Sequence, residues 1–333
     1  MECRDMLKFV FAGTRECRRE KSERKEQEME RVLEIGTMMG ADPFVLLHND
    51  IYYLYCTTEI NSTDLAAARE EQNKGIRVYR SEDLKSWTDC GLCLKREDVK
   101  GDKWFWAPEI TYYNDKFYMV YTAEEHIGIA VSDSPMGPFV QEEKRWLSER
   151  RAIDGSFLFD DDGQIYLYYV RLCEGTEIAG NIIYVAKMTP DLQSIDEEHE
   201  QMLIKAEDEW ETRDCLVTEG PFVLKHKGKY YLTYSANHTR SHDYAVGYAV
   251  ADEPMGPFVK YESNPILKKN EAVVGVGHHS FTTTKDGKDL ICVHHRHFSL
   301  EQFKPRMVCT TPAVFVERAG HEADVLQILE PSI

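Results

Sequence analysis

The sequence of 333 residues predicts an all-β fold, a five-bladed β-propeller with a short N-terminal helical or extended segment. Three observations predict it: a strand motif that occurs five times, two secondary repeats, and the absence of long helical periodicity after about residue 36. Each copy of the motif is a short apolar strand, a polar turn and an aromatic strand, as in a β-hairpin. The copies are PFVLLHNDIYYLYCT, PEITYYNDKFYMVYT, GSFLFDDDGQIYLYYV, GPFVLKHKGKYYLTYS and HSFTTTKDGKDLICVHH.

The five copies share a register that is defined by a head residue and a turn. Successive heads are 65, 47, 65 and 59 residues apart, which is too long for one hairpin and suits a four-stranded sheet with its loops. A turn position follows each head after eight residues, and a glycine comes directly after it in the last three copies. The heads are Asp42, Ala107, Asp154, Glu219 and His278, and the turn positions are Asp50, Asp115, Asp162, Lys227 and Asp286.

The segments between the hairpins supply the outer strands. DSPMGPFV at residues 133–140 returns as DEPMGPFV at residues 252–259, two blades later, and marks the end of a strand. RSEDLKSW at residues 80–87 and TPDLQSI at residues 189–195 predict a second shared corner. Runs such as IRVYR and NIIYVAKM alternate with a period of two, which indicates middle strands with two different faces.

The first 35 residues differ from the rest of the chain. Residues 15–31 are dense in Arg, Lys and Glu, which favours a solvated helix or a frayed extension, with a partner-binding helix as the alternative. The apolar stretch at residues 7–13 is too short for the core of a signal peptide, and the sequence has no run of about 20 apolar residues. We therefore expect a charged extension over residues 1–35 and one propeller domain over residues 36–333.

Charge and cysteine content exclude several classes of function. A net charge of −18 without a basic stripe argues against a nucleic-acid partner, because a phosphate backbone requires clustered Lys and Arg. Nine scattered cysteines, an odd number, favour a reducing compartment over a disulfide scaffold, so we expect a cytoplasmic protein with no membrane partner. Cys90 and Cys93 have no second pair to complete a zinc site, and we interpret them as structural.

The strand heads are candidates for chemistry because the innermost strands of a propeller face a central channel. Equivalent heads on successive blades lie around one small opening, so Asp42, Asp154 and Glu219 are predicted to converge. Crowded carboxylates raise one another's pKa, which keeps one acid protonated while another stays ionised. Glycoside hydrolysis with inversion requires such an acid and base, separated by roughly 6.5–9.5 Å so that a water fits between them.

The same residues resemble the signature series of glycoside hydrolase family 43. The resemblance covers about residues 36–315, and its five short motifs, weak singly, are specific together because they occur in order at the blade heads. It implies a five-bladed β-propeller that acts with inversion on arabinose- and xylose-containing plant polysaccharides or their fragments. The motifs are Ala41-Asp42-Pro43, Trp106-Ala107-Pro108-Glu109, Ala152-Ile153-Asp154, Glu219-Gly220-Pro221 and Gly275-Val276-Gly277-His278-His279-Ser280.

The resemblance also implies roles for the three carboxylates. Asp42 matches the general base, which activates the water at the anomeric carbon, and Glu219 matches the general acid, which protonates the leaving oxygen. Asp154 matches the third carboxylate, which orients the acid and tunes its pKa. Gly155 follows it where the family more often has Pro or Ala.

Two further residues enter through the resemblance. His278 matches the family's histidine beside a central cation, so we expect either a water-mediated cation, calcium or another, or water alone; no cofactor is required. Arg296 lies in the segment VHHR, which resembles the family's Tyr-His-x-Arg segment, and it is expected to reach the active site and bind substrate. The histidines of residues 294–297 are also weighed as a zinc site, but adjacent residues of a strand point to opposite faces.

The second head, Ala107, has no polar side chain, and its neighbours Trp106 and Glu109 are expected to bind substrate. The ring of Trp106 can pack against the C–H face of a sugar. Because no sandwich domain is visible after the propeller, the sequence favours arabinofuranose over xylose as the sugar. That preference depends on the resemblance.

The leading hypothesis is an inverting, exo-acting glycoside hydrolase that removes terminal α-L-arabinofuranosyl or β-D-xylosyl units from small plant-derived oligosaccharides. An endo-1,5-α-L-arabinanase of the same family is the first alternative. A non-catalytic propeller that binds sugars or proteins is the second, although it would not need carboxylates at equivalent heads. A retaining fructan enzyme is the third, because Arg213-Asp214-Cys215 faintly resembles a triplet of that group.

Overall fold

The computed structural model describes residues 32–173, 179–320 and 322–331, whose strands form the five antiparallel blades of a β-propeller. Blade 1 comprises β1 (Val32–Glu34), β2 (Ala41–His48), β3 (Ile51–Thr57), β4 (Gly75–Ser81) and β5 (Ser86–Lys95). Blade 2 comprises β6 (Trp106–Tyr113), β7 (Lys116–Ala123) and β8 (His126–Ser132). A single bridge between Val131 and Val140 takes the place of a fourth strand in blade 2.

The remaining three blades have four strands each. Blade 3 comprises β9 (Ala152–Phe159), β10 (Ile165–Leu172), β11 (Asn181–Met188) and β12 (Gln201–Ile204). Blade 4 comprises β13 (Thr218–His226), β14 (Lys229–Ala236), β15 (Ala245–Ala251) and β16 (Val259–Lys260), and blade 5 comprises β17 (Gly277–Thr283), β18 (Leu290–Arg296), β19 (Met307–Val316) and β20 (Val325–Ile328). The innermost strands β2, β6, β9, β13 and β17 contact one another around the axis, which confirms the predicted fold class.

The hydrophobic core lies between the blades, and the secondary repeats contribute to it. The buried Tyr55 of blade 1 donates a hydrogen bond to the carbonyl of Pro135, in DSPMGPFV at residues 133–140, the first copy of the Pro/Gly motif. The buried Tyr168 of blade 3 does the same to Pro254, in the second copy. The two motifs are therefore equivalent contacts between a blade and the next one, as their sequence spacing predicted.

Residues near the N-terminus join the first blade to the last. The strand β1 pairs with β5 as the outermost strand of blade 1, so residues 32–34, which the sequence analysis assigned to the extension, belong to the first blade. Gly40 donates its amide to the carbonyl of Arg306, and Val308 donates its amide to that of Met38, which places residues 38–40 beside blade 5. The rest of the predicted extension, residues 1–31, lies outside the described residues.

A short helix, α1 (Leu65–Asn73), occupies the loop between β3 and β4 and was not predicted. Asp64 caps it by accepting hydrogen bonds from the amides of Ala66 and Ala67. Gln72 is its one buried residue, so the helix has no apolar face that could appear as a period in the sequence. No helix in the described ranges is long and apolar enough to cross a membrane.

Candidate active site

Each innermost strand begins with an irregularity in its pairing and a residue with positive φ. Four heads are not glycine: φ is 53° at Asp42, 43° at Ala107, 58° at Asp154 and 42° at His278. Pairing with the second strand of the blade skips at each of these points, as in a β-bulge. Such a backbone costs of order 1–3 kcal/mol per residue, and a bulge re-aims the side chain that it carries. These four predicted heads are thus equivalent.

The preceding blade holds the amide of each of these heads. In every case the acceptor is a side chain near the end of the second strand of that blade, so the same contact recurs around the ring. The bonds run from Ala107 N to Thr57 Oγ1 (2.9 Å), from Asp154 N to Thr122 Oγ1 (3.1 Å), from His278 N to Ser235 Oγ (2.8 Å) and from Asp42 N to His295 Nδ1 (3.2 Å).

Blade 4 departs from this pattern and corrects the predicted register. Its head with positive φ is Gly220, at 56°, so Glu219 lies one residue before the position to which it was assigned. A Cβ atom on Gly220 would lie 3.2 Å from the ring of His278, which explains the glycine. In the preceding blade, Val170 occupies the position on the second strand at which the other blades have a hydroxyl or an imidazole. Because Val170 cannot accept a hydrogen bond through its side chain, Gly220 donates its amide to Asp154 Oδ2 instead, at 3.1 Å.

Asp42 is buried beside a hydroxyl group, a guanidinium group and two imidazole rings. Thr57 Oγ1 donates to its Oδ2 at 2.6 Å, and Arg306 Nη1 donates to its Oδ1 at 3.2 Å. His278 Nδ1 lies 3.3 Å from the same oxygen. Burial raises the pKa of Asp42, but Arg306, His278, His295 and the Thr57 hydroxyl outweigh it and hold the pKa well below the usual range. Asp42 is therefore ionised at neutral pH.

Glu219 and Asp154, unlike Asp42, favour the protonated form. Burial, together with the charge of Asp42, raises the pKa of Glu219 to about 7, while the hydroxyl of Tyr244, which donates to Glu219 Oε1 at 2.7 Å, opposes the shift. Burial and the charges of Glu219 and Asp42 also raise the pKa of Asp154, against the amide of Gly220. The two carboxyl groups interact and titrate as a pair, which retains a proton more readily than an ordinary carboxylate.

A small cavity of about 30 Å³ lies on the axis beneath these carboxylates. It is lined by head residues of all five blades, including Asp154, Gly220 and His278, and also by Glu109 and the buried His279. Neither ring nitrogen of His279 has a hydrogen-bond partner in the described part of the chain. By volume it has room for roughly two water molecules.

The residues around the axis do not fit a directly coordinated cation. Within the described ranges no three His, Cys, Asp or Glu side chains converge as a metal site. His278 Nδ1 faces Asp42, and burial lowers the pKa of the imidazole, whereas calcium prefers six to eight oxygen ligands. His278 therefore does not provide a direct ligand set for calcium.

Arg306, which the sequence analysis missed, is the arginine that contacts the carboxylates. Besides Asp42 it binds Glu59, and it lies on the loop just before β19. The substrate contact of Arg296 stays a prediction: its Nη1 donates to the carbonyls of His297 and Phe298 and has no hydrogen bond to the three carboxylates. Since neighbouring residues of β18 point to opposite faces, His295 faces Asp42 and Arg296 faces away. The one feature of the sequence that could have indicated Arg306 is its position on the loop between β18, which contains VHHR, and β19.

The histidines of residues 294–297 do not form a zinc site. His294 Nε2 hydrogen-bonds to Thr311 Oγ1 at 2.9 Å, and His297 Nε2 hydrogen-bonds to the carbonyl of Thr239 at 2.9 Å. His295 Nδ1 accepts from the amide of Asp42, so each ring has a different set of neighbours. Burial lowers the pKa of His294 to about 4, which keeps this imidazole neutral.

Trp106 and Glu109 flank the head of blade 2 as predicted from the sequence, but on different levels. Trp106 is half-buried, stacks on Trp104 with ring centroids 5.7 Å apart, and donates its indole N–H to Gln72 of α1 at 3.1 Å. Glu109 lines the axial cavity and accepts the amide of Phe157 at 2.7 Å, and burial raises its pKa to about 8. A sugar contact by Trp106 stays a prediction, whereas Glu109 lies below the carboxylates.

Comparisons with known proteins identify the family. Residues 35–324 match the model of "Glycosyl hydrolases family 43". A protein named "Xylosidase/arabinosidase 43A", from Humicola insolens, is 30% identical over 265 residues, which cover 67% of this chain and 79% of that protein.

Two solved structures are similar over nearly the whole propeller. One is described as an endo-1,4-beta-xylanase from Bacteroides thetaiotaomicron, with a TM-score of 0.79 and 39% identity over 90% of this chain and 96% of that chain. The other is a thermostable family-43 glycoside hydrolase, with a TM-score of 0.77 and 38% identity over 88% of this chain and 94% of that chain. With five heads around one axis and two carboxyl groups of opposite protonation preference, this chain belongs to glycoside hydrolase family 43 and is a glycoside hydrolase.

Proposed function

We propose that this protein is an inverting, exo-acting glycoside hydrolase that removes terminal α-L-arabinofuranosyl or β-D-xylosyl units from short plant-derived oligosaccharides. One observation carries the proposal: Asp42 is held ionised while Glu219, in the same ring, has a pKa of about 7. Hydrolysis with inversion requires a base and an acid at once, and these two environments supply them.

In the proposed reaction, water attacks the anomeric carbon while the bond from that carbon to the leaving oxygen breaks. Asp42 accepts the proton that the water loses, and Glu219 donates its proton to the leaving oxygen. Asp154 interacts with Glu219 electrostatically, and its raised pKa lets the pair hold a proton near neutral pH. The products are a sugar of inverted anomeric configuration and a shortened oligosaccharide.

The narrow axial cavity supports exo action. Its volume of about 30 Å³ gives a terminal sugar unit little room to pass along the axis, so we expect the unit to stop there. The names of similar proteins support the choice of a pentose, since they include xylosidase/arabinosidase. The name of the xylanase described above supports endo action as such, but on xylan and not on the arabinan of the endo-1,5-α-L-arabinanase alternative.

We also propose a cytoplasmic location and small oligosaccharides as substrates. Cys56, Cys93, Cys292 and Cys309 are buried free thiols, which a reducing compartment preserves. Hydrolysis by two carboxyl groups and water requires no organic cofactor. A cation held through water beside His278 stays a prediction.

The test measures rates on 4-nitrophenyl α-L-arabinofuranoside, 4-nitrophenyl β-D-xyloside and linear arabinan, and follows the anomeric configuration of the first product by NMR. We expect turnover of at least one pentoside, the arabinofuranoside first, with inverted product. A strong preference for linear arabinan would replace exo with endo action. Retained configuration would require a nucleophile in place of the base, and sugar binding without any turnover would favour the non-catalytic class.

A further inference from the structure

Glu59 is a buried carboxylate outside the ring of strand heads, and it binds Arg306 through three hydrogen bonds. It lies two residues after β3, and 9% of its surface is exposed. Its Oε1 accepts from Arg306 Nε at 3.0 Å and from Arg306 Nη2 at 2.8 Å, while its Oε2 accepts from the backbone N of the same residue at 3.1 Å. One residue therefore fixes both the backbone and the guanidinium of Arg306.

This contact crosses the junction between the first and last blades. Glu59 follows a strand of blade 1, and Arg306 precedes β19 of blade 5. The remaining nitrogen, Nη1, donates to Asp42 Oδ1 at 3.2 Å and to Thr239 Oγ1 at 3.3 Å. The guanidinium thus binds Glu59 through Nε and Nη2 and binds Asp42, the proposed base, through Nη1.

The geometry of the guanidinium makes Glu59 decisive for its placement. An arginine has several rotatable bonds and pays conformational entropy when it is held in one position. Its planar fork is ordered best by a carboxylate that takes two N–H groups at once, which Glu59 does and Asp42 does not. Lys304 Nζ lies 3.2 Å from Glu59 Oε1, so a second cation also holds this carboxylate in place.

We propose that Glu59 is a positioning residue for the general base, because it holds Arg306 in the orientation that directs Nη1 at Asp42. This inference rests on the proposed function, in which Asp42 activates the water. Glu59 touches neither Asp42 nor the axial cavity, so it acts through Arg306. Without Glu59 only the single hydrogen bonds to Asp42 and Thr239 are left to hold the guanidinium, so we expect Nη1 to turn away from Asp42.

The test compares Glu59→Gln with Glu200→Gln as a matched control. Glu200 accepts from Arg171 Nε at 2.9 Å and from the hydroxyl of Tyr169, so it forms a similar pair in blade 3 without Arg306. For Glu59→Gln we expect kcat to fall roughly 10²-fold, with KM changed much less, because a small misplacement at the base slows the chemical step. Glu200→Gln is expected to lower the melting temperature while kcat stays within about twofold.

A double-mutant cycle tests whether Glu59 acts through Arg306. We expect Arg306→Lys combined with Glu59→Gln to lose no more than about twofold in kcat beyond Arg306→Lys alone. Additive losses would overturn the proposal. If Glu59→Gln does not fold, Glu59→Asp keeps the charge and shortens the reach by one methylene, and it is expected to lower kcat as well.

A crystal structure of the Glu59→Gln variant, or of Glu59→Asp in its place, gives a readout that needs no substrate. We expect the guanidinium of Arg306 to move out of hydrogen-bond distance of Asp42. If Arg306 keeps its contact at 3.2 Å, the proposal is wrong whatever the rate. If the protein hydrolyses neither pentoside, the proposed function fails, while this structural readout still decides the role of Glu59.

Discussion

The backbone amide of Gly220 donates a hydrogen bond to Asp154 Oδ2, at 3.1 Å. At the other four heads the amide is held by a hydroxyl or an imidazole of the preceding blade. Blade 3 offers only the methyl groups of Val170 at that place, so the fourth amide is available to a carboxylate. An apolar side chain therefore allows Gly220 to hold Asp154 next to Glu219, the proposed general acid.

Val170→Thr tests this arrangement, because it adds the hydroxyl that the other blades have. We expect Gly220 to donate to the new hydroxyl and Asp154 to lose its amide partner, which lowers kcat about tenfold, the value of one hydrogen bond to a charged group. Val185→Thr adds a buried hydroxyl on β11 and is the control for stability, measured by thermal unfolding. An unchanged kcat in a folded Val170→Thr enzyme would show that the amide does not matter.

The pH profile of kcat/KM is expected to be asymmetric. Glu219 must be protonated, and its pKa is raised, so activity is lost as the pH rises through about 7. Asp42 must be ionised, and its pKa is lowered, so activity persists until the pH falls below the ordinary carboxyl value of about 3.9. Initial rates across this range check both limbs. An acid limb above about pH 5 would contradict the assignment of Asp42 as the base.

Tyr244→Phe is expected to move the alkaline limb to higher pH. The hydroxyl of Tyr244 donates to Glu219 and stabilises the ionised form, so its removal raises the pKa of the acid further. Tyr248→Phe is the control, since Tyr248 is a buried tyrosine that stacks on Tyr261 at 4.8 Å. A shift of the limb to lower pH in Tyr244→Phe would reverse this interpretation.

The leaving group distinguishes the roles proposed for the two carboxylates, Asp42 as base and Glu219 as acid. Asp42→Asn is expected to lose about 10²–10⁴-fold in kcat on every substrate, because the attacking water always needs its base. Glu219→Gln is expected to lose as much on an oligosaccharide and much less on a 4-nitrophenyl glycoside, whose leaving group departs without full protonation. The ratio of the two rates in each variant is the measurement. Equal losses on both substrates in Glu219→Gln would assign the acid elsewhere.

Gly220→Ala tests why blade 4 has glycine at its head. The substitution places a Cβ atom in a backbone with φ of 56° and 3.2 Å from the ring of His278. Gly228→Ala, at φ of 77° with no atom within 4 Å, carries the backbone cost alone, about 1–2 kcal/mol of unfolding free energy. We expect Gly220→Ala to lose more stability than this control and to lower kcat as well, by chemical denaturation and steady-state kinetics. Equal losses would assign the glycine to backbone conformation only.

The sequence predicted the propeller and four of its five heads because hairpin turns and heads recur at a fixed step. The error at Glu219 arose in the count: eight residues after Gly220 is Gly228, the second residue of a two-residue turn, just as Asp50 is in blade 1. The step from Glu219 falls on Lys227, the first residue of that turn, because blade 4 has the two-residue turn of blades 1 and 2 and not the longer turns of blades 3 and 5.

Arg306 and Glu59 could not be predicted in the same way. Both lie on loops at the ends of strands, where no period of two constrains the side chains, and their contact joins residues 247 positions apart. Arg296 is predicted because it lies in a motif, and that prediction does not consider the alternation of side chains along β18. That alternation turns the side chain of Arg296 away from Asp42. Strand repeats thus predict the carboxylates, whereas the loops that adjust their pKa require three-dimensional structure.

The junction between the first and last blades also affects the order in which the enzyme is made. Asp42 leaves the ribosome early, but His278, His295 and Arg306, which surround it, are synthesised more than 200 residues later. A nascent chain therefore has a bare aspartate with an ordinary affinity for protons during most of its synthesis. The proposed base acquires its surroundings only when the ring closes, so hydrolytic activity reports that synthesis has passed Arg306.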